Sequence, residues 1–389
     1  MKYAVLRRAV KGAAYGSAKA NIEPLEALAR GDIHFDVEEL STASLPQLRR
    51  DPSIEAVTPL IPTALIRPRA GAATGADGNW GVAAIGADTS PYTGKGTRVA
   101  VLDTGIDAAH PALAGIALRQ QDFTGQGNGD GNGHGTHCAG TIVGRDVDGK
   151  RIGIARGVTD VMIGRVLDSA GSGTSPMVFE ALLWALREQA DVVSMSLGFD
   201  FPGMVAGLID EGWPADYATS TALEAYRGNL RMFDAIMGMY KAQADFSSAP
   251  LVIAASGNES RRSDGKPYRI GASLPAAAYD VISVAAVGRA GKLFEVADFS
   301  NSMAMLAAPG VDILSAKAGG GLEAMSGTSM ACPHVAGACA LWREALASAG
   351  KKASAKSVEN NLFAALRAAV FSTGTEEQDV GAGMVYCPR

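Results

Sequence analysis

VAVLDTGID, residues 99–107, carries four apolar residues into a carboxylate and a glycine turn. The run Val99–Leu102 shows no polar alternation, the pattern of a strand covered on both faces. Asp103 then stands at the carboxyl end of that strand, and Thr104-Gly105 supplies the turn that ends it. Four more segments share the texture: VTDVMIGRVLD (158–168), ADVVSMSLG (190–198), APLVIAASG (249–257) and VISVAAV (281–287). Helix-like stretches lie around 137–144, 175–189, 218–243 and 330–347. Strands alternating with helices predict an α/β fold on a mostly parallel sheet with helices on both faces. Ligands of such sheets sit at the carboxyl ends of the strands, which is where Asp103 is.

Towards the N-terminus the texture changes. KYAVLRRAV (2–10), HFDVEEL (34–40) and EAVTPLIPTALI (55–66) read as strands, and EPLEALAR (23–30) and SLPQLRRDP (44–52) as helical. The order predicts a small α/β unit over 1–70. RPRAGAATGADGN (67–79) has no periodicity and reads as exposed, its 71–79 portion being a linker to a main domain over 80–389.

Glycine supplies 47 of 389 residues, well above a background of ~7%, so many tight turns and close backbone approaches are expected. With 47% apolar and 19% charged residues the chain can bury a sizeable core. The net charge is -5 and no basic stripe is present, which argues against nucleic acid as a partner. MKYAVLRRAVKG lacks the ~7–15-residue apolar stretch of a secretory signal, and no apolar run approaches the ~20 residues of a membrane span. The expectation is a cytoplasmic protein with no membrane partner, export by a non-standard route excepted. Four cysteines (138, 332, 339, 387) show neither compact disulfide spacing nor a CxxC pair, and read as free thiols.

MSGTSMACPH, 325–334, raises the question of a nucleophile and its base. Ser329 opens an amphipathic helix, which sets its oxygen in the positive field of the helix N-terminus. His334 lies five residues on, about 140° around that helix, and cannot reach the hydroxyl. GTSMA has the look of a G-x-S-x-G elbow, but that arrangement needs a later histidine, and His334 is the only one. His34 lies in the N-terminal unit and His110 in a strand-end loop. His134 and His137 remain, in NGHGTHCAG, downstream of Asp103. The pair lacks the HExxH glutamate and any CxxC partner for zinc. A single DTG also falls short of the two carboxylates that aspartic-protease chemistry needs.

VAVLDTGID, GNGHGTHCAG (131–140) and SGTSMACPHVAG (326–337), in that order, resemble the three catalytic blocks of the subtilisin-like serine proteases, the subtilase family. VLDSAGSG (166–173), SMSLG (194–198), AASGNES (254–260) and APGVDILS (308–315) match further family blocks in family order. The resemblance covers about 80–350, and Cys138 after the histidine block matches the proteinase-K-like branch. It implies a serine endopeptidase in which Ser329 is the nucleophile, His134 the base, Asp103 its orienter and Asn258 the side-chain oxyanion donor. Ser172-Gly173 and Ser196-Leu197-Gly198 are then the backbone edges that hold a substrate strand. Ala255 and Gly257 belong to the first side-chain pocket, lined by 254–257 and 273–276. No acidic residue lies there, so an apolar residue before the cut is expected.

The resemblance also casts residues 1–70 as an inhibitory, folding-assisting propeptide, an intramolecular partner beside protein or peptide substrates, with self-cleavage in the linker. Two other readings are a processing protease with one protein substrate and a silent peptide-binding protein on the same fold. Retention of Asp103, His134, Asn258 and Ser329 argues against the silent protein. The chemistry needs no cofactor. DVDGK (146–150) opens like a calcium loop, which makes Asp146 and Asp148 candidate structural calcium ligands, but the closing glutamate is missing. Between Gly198 and Ala254 lie 55 residues, more than the family spends there. The extra portion, about 199–220, is expected beside the cleft.

Overall fold

A computed structural model describes residues 2–8, 33–48, 50–71, 78–244, 249–263, 265–368 and 370–389. Its centre is an eight-stranded sheet. Across it run Leu293–Val296, Val281–Ala290, Leu251–Ala255, Val192–Met195, Arg98–Asp103, Asp160–Arg165 and Ala117–Asp122, with Leu306–Pro309 also paired to Val281–Ala290. All pairings are parallel except that of Leu293–Val296. The expected α/β class holds.

Alternation decides which face each residue serves. Val99 and Val101 join the core that contains the helices His134–Val143 and Thr328–Ser348. Ala100 and Leu102 join the opposite core, with the helix Ser175–Arg187 and the long helix Ala215–Ala244. Both faces are apolar, which is why Val99–Leu102 reads as a continuous run. The edge strand Ala117–Asp122 buries no residue, so it left no such run to read.

In the N-terminal unit Lys2–Arg8 lies between Ile33–Glu39 and Ile54–Pro59, antiparallel to both. Ala4 and Leu6 join the core of the main sheet, whereas Tyr3 and Val5 pack with Leu45 on the other side. The helix expected at 23–30 falls outside the described residues. SLPQLRRDP supplies only the short helix Leu45–Leu48.

One expectation is corrected. EAVTPLIPTALI is two strands, Ile54–Pro59 and Pro62–Leu65, with Pro59 closing the first and Pro62 opening the second. Only the first belongs to the N-terminal sheet. The extra portion after Gly198 is the helix Phe201–Asp210 followed by the long helix Ala215–Ala244. The long helix packs against Ile54–Pro59. Its buried stripe runs through Ala225, Asn229, Met232, Phe233, Ile236 and Tyr240, at helical spacing. Asn229 donates to Thr58 Oγ1 (3.0 Å), the Pro59 carbonyl (2.9 Å) and the Ala225 carbonyl (2.7 Å). Phe35, Phe179, Phe199 and Phe233 form one aromatic cluster with centroids 5.0–6.2 Å apart, tying N-terminal sheet, long helix and the strand Leu197–Phe199 together.

Candidate active site

Asp103 and His134 meet where strand and helix converge. Asp103 Oδ1 lies 2.8 Å from His134 Nδ1 and accepts the Thr104 N–H at 2.8 Å. Both side chains are buried, and among the described residues Asp103 Oδ2 has no hydrogen-bond partner. His134 is the first residue of its helix, whose amino end needs acceptors for four unpaired N–H groups.

Asp130 supplies acceptors there, and sequence reading missed it. Its Oδ1 accepts from Gly133 N (2.8 Å), Asn132 N (3.2 Å) and Thr104 Oγ1 (2.8 Å). Its Oδ2 accepts from Thr136 N (2.9 Å) and Thr136 Oγ1 (2.6 Å). One carboxylate thereby caps the His134 helix and ties it to the residue after Asp103. The only sequence signal was an aspartate four residues ahead of His134 in a Gly/Asn-rich loop.

Ser329 is the second residue of the helix Thr328–Ser348, so its N–H has no intrahelical acceptor. Pro333 sits four residues on and carries no N–H, which leaves the Ser329 carbonyl without its helical donor. Ser196 Oγ (3.1 Å) and Cys138 Sγ (3.4 Å) donate to that carbonyl instead. The Ser329 hydroxyl lies 3.2 Å from the Ile66 carbonyl and 3.4 Å from the Ser196 carbonyl; it is not hydrogen-bonded to His134.

Asn258 is oriented by Thr328. Its Oδ1 accepts from Thr328 N and Oγ1, both at 2.9 Å, which turns Nδ2 outward to donate to the Arg67 carbonyl at 3.0 Å. Gly327 makes room for it, since a Cβ there would lie 2.9 Å from Asn258 Nδ2.

The two edges named from sequence are brought together by a third strand, Pro62–Leu65 of the same chain. Antiparallel pairing sets Thr63 opposite Gly173 and Ala64 opposite Ser172 on one side. On the other side Leu65 faces Leu197, and Ala64 faces Gly198. Leu65 donates to the Gly171 carbonyl at 2.7 Å. Ile66 is buried beside Gly198, where an added Cβ would stand 3.6 Å from both Ile66 Cγ1 and Ser273 Oγ. Ala255 is buried in the core under the sheet end, and Gly257 donates to Thr328 Oγ1 at 3.1 Å.

His137, His334 and the thiols are locked away. His137 Nε2 faces the Ile313 and Glu323 carbonyls, and burial pushes its pKa down to about 3. His334 Nδ1 faces the Met330 carbonyl and Nε2 the Asn79 amide; burial takes its pKa to about 4. All four cysteines are free and buried. Burial holds the Cys138 thiol far above its ordinary range and the Cys332 thiol up to about 11.

Neither candidate metal site fits. Asp146 gives both oxygens to Arg156 at 2.9 Å, and Asp148 is exposed in the turn between Val147 and Lys150, so calcium finds no converging oxygens there. Asp103, His134 and Cys138 bring ligand atoms within 4.8 Å of one another, but Asp103 Oδ1 already holds His134 Nδ1 at 2.8 Å.

Residues 94–383 match the family model described as the subtilase family. The chain belongs to the subtilase family. It is a subtilisin-like serine endopeptidase. It is 33% identical over 299 residues to an intracellular serine protease of Paenibacillus polymyxa, covering 75% of this chain and 79% of the relative. It is 33% identical over 254 residues to the major intracellular serine protease of Bacillus subtilis (strain 168), covering 64% and 68%. Over 275 residues it is 35% identical to subtilisin-like protease 6 of Trichophyton rubrum, covering 67% and 56%. Among the described residues of this subtilase, no helix is long and apolar enough to cross a membrane.

Proposed function

We propose that this subtilase cleaves peptide bonds by acyl transfer to Ser329. His134 takes the hydroxyl proton and returns it to the leaving amine, while Asp103 holds the imidazole in the tautomer that leaves Nε2 free. The oxyanion is received by Asn258 Nδ2 and the Ser329 N–H. A residue before the cut enters the pocket that Ile66 fills, which favours an apolar side chain.

Residues 1–66 act as the chain's own inhibitor. The observation that carries this reading is the segment Pro62–Leu65 lying as a third strand between Ser172–Thr174 and Leu197–Phe199, with the next two carbonyls, of Ile66 and Arg67, against Ser329 Oγ and Asn258 Nδ2. A resting Ser329 hydroxyl aimed at that segment fits a site that awaits its release, since catalytic hydrogen bonds often tighten only with substrate in place. The cut falls between Ile66 and Arg67, ahead of the linker 71–79; Asn258 Nδ2 rests on the Arg67 carbonyl, so the segment shifts by one carbonyl to bring that of Ile66 onto Asn258 before the cut. The next bond, Arg67–Pro68, presents a proline nitrogen with no N–H and is the poorer substrate. The Paenibacillus and Bacillus relatives are intracellular by name, and we assign the same compartment here.

Fluorophosphonate labelling of the full chain during incubation tests the activity. The expected result is label on Ser329, with casein cleavage appearing alongside, and neither in Ser329→Ala. A folded protein that takes no label and cuts no casein would overturn the enzyme mechanism in favour of a peptide-binding role.

A further inference from the structure

Beyond Arg67 the chain continues along the far side of the cleft, where Arg69 and Ala70 pair antiparallel with Ser326 and Met325. Arg69 is seated. Its guanidinium lies 5.0 Å from the centroid of Phe299, and its Nη1 is 3.6 Å from Asp298 Oδ2. Asp298 is held in place: its Oδ1 accepts the backbone N–H of Arg262 (2.9 Å) and of Ser263 (2.6 Å), and its Oδ2 is the oxygen nearest Arg69. Phe299 is buried, so its ring face is a fixed wall.

These residues line an open cleft of about 390 Å³ that also takes in Trp80, Glu295 and Asp312. Arg289, the other cation in the cleft, is stacked over Trp80 at 4.7 Å. With Arg69 counted as guest, Asp298 and Glu295 stand in the lining beside Arg289. The charge balance and the aromatic wall therefore suit a planar cation.

Resting on the protease reading above, we infer that this cleft is a leaving-side pocket for a basic side chain. Asp298 and Phe299 select arginine, and lysine less well, at the third residue after the cut. Arg69 occupies that place when the cut is Ile66–Arg67. The pocket gives this subtilase a preference on the side of the substrate that leaves as the amine. The inhibitory segment uses the same preference to hold its place.

Two peptides test this in one tube with the full chain: acetyl-Thr-Ala-Leu-Ile-Ser-Ala-Arg-Ala-amide and its twin with glutamine for arginine. Their relative rates of loss, read by mass, do not depend on what fraction of the enzyme has a free cleft. The arginine peptide should disappear about five- to tenfold faster, as expected of one partly exposed ion pair with one cation–π contact. Asp298→Asn, which keeps the Oδ1 acceptor, should bring the ratio close to one. A wild-type ratio near one, or a ratio unchanged in Asp298→Asn, overturns the inference and leaves the protease reading standing.

If neither peptide is cut, it is the protease reading that fails. The pocket is then read in the Ser329→Ala chain by added trypsin, which cuts after Arg69 and is blocked at Arg67 by Pro68. Asp298→Asn should speed that cut severalfold; equal rates overturn the pocket.

Discussion

Pro333 leaves the Ser329 carbonyl to Ser196 and Cys138, and a thiol is a weak donor. Ser196→Ala should therefore destabilise the protein by about 1–2 kcal/mol, the scale of a buried carbonyl stripped of its better partner, read from the denaturant midpoint. At the oxyanion position two variants separate contact from orientation. Asn258→Ala should lower kcat on the order of 10²–10³-fold, a scale that itself comes from this family. Thr328→Val removes one of the two bonds that turn the Asn258 amide and keeps the other. We expect a loss on the order of tenfold in kcat with KM little changed; a change confined to KM would place Thr328 in binding instead. Asp130→Ala strips acceptors from four residues around His134 and should cost about 2–4 kcal/mol, more than an ordinary cap. The residues named from sequence were legible because they sit at strand and helix ends with glycines beside them. Asp130 was not: its partners converge only once Thr104 and Thr136 have been brought together by the fold.

Among the elements, the long helix Ala215–Ala244 is the one whose role could not be read. Its length and period were plain in the sequence, but the surface it covers lies about 170 residues away, in Ile54–Pro59. Gly228 records that contact. In an exposed helix, glycine to alanine stabilises by about 1 kcal/mol. Here the added Cβ would stand 2.3 Å from Thr58 Oγ1, so we predict the opposite sign. Gly228→Ala should loosen the N-terminal sheet from the helix, raising amide exchange in Ile54–Pro59 while leaving the central sheet protected. Faster exchange in both, or in neither, would refute the docking role. The strands of the central sheet were legible for the opposite reason: burial on two faces writes itself as an unbroken apolar run. Ala117–Asp122 buries no face, and Pro62–Leu65 is a strand only because the cleft edges accept it.

Across the whole molecule, two buried histidines set an acid limit. His137 and His334 stay neutral in the folded chain down to about pH 3 and 4, whereas unfolded they take protons below about pH 6.5. The unfolded state then binds more protons, so stability is fully present above pH 6.5 and is lost as pH falls towards 4. Each histidine contributes up to about 1.4 kcal/mol per pH unit in that window. The urea midpoint should fall clearly between pH 7 and pH 5; a flat profile would contradict the buried neutral state of both rings.

The same scale holds the central claim, that the N-terminal unit is both inhibitor and first substrate. Its most direct test is the intact mass of wild type and Ser329→Ala followed over time. The wild type should lose residues 1–66, leaving a new N-terminus at Arg67, and Ser329→Ala should stay whole. Equal trimming of both, or a wild type that cuts casein while keeping its N-terminus, would contradict it.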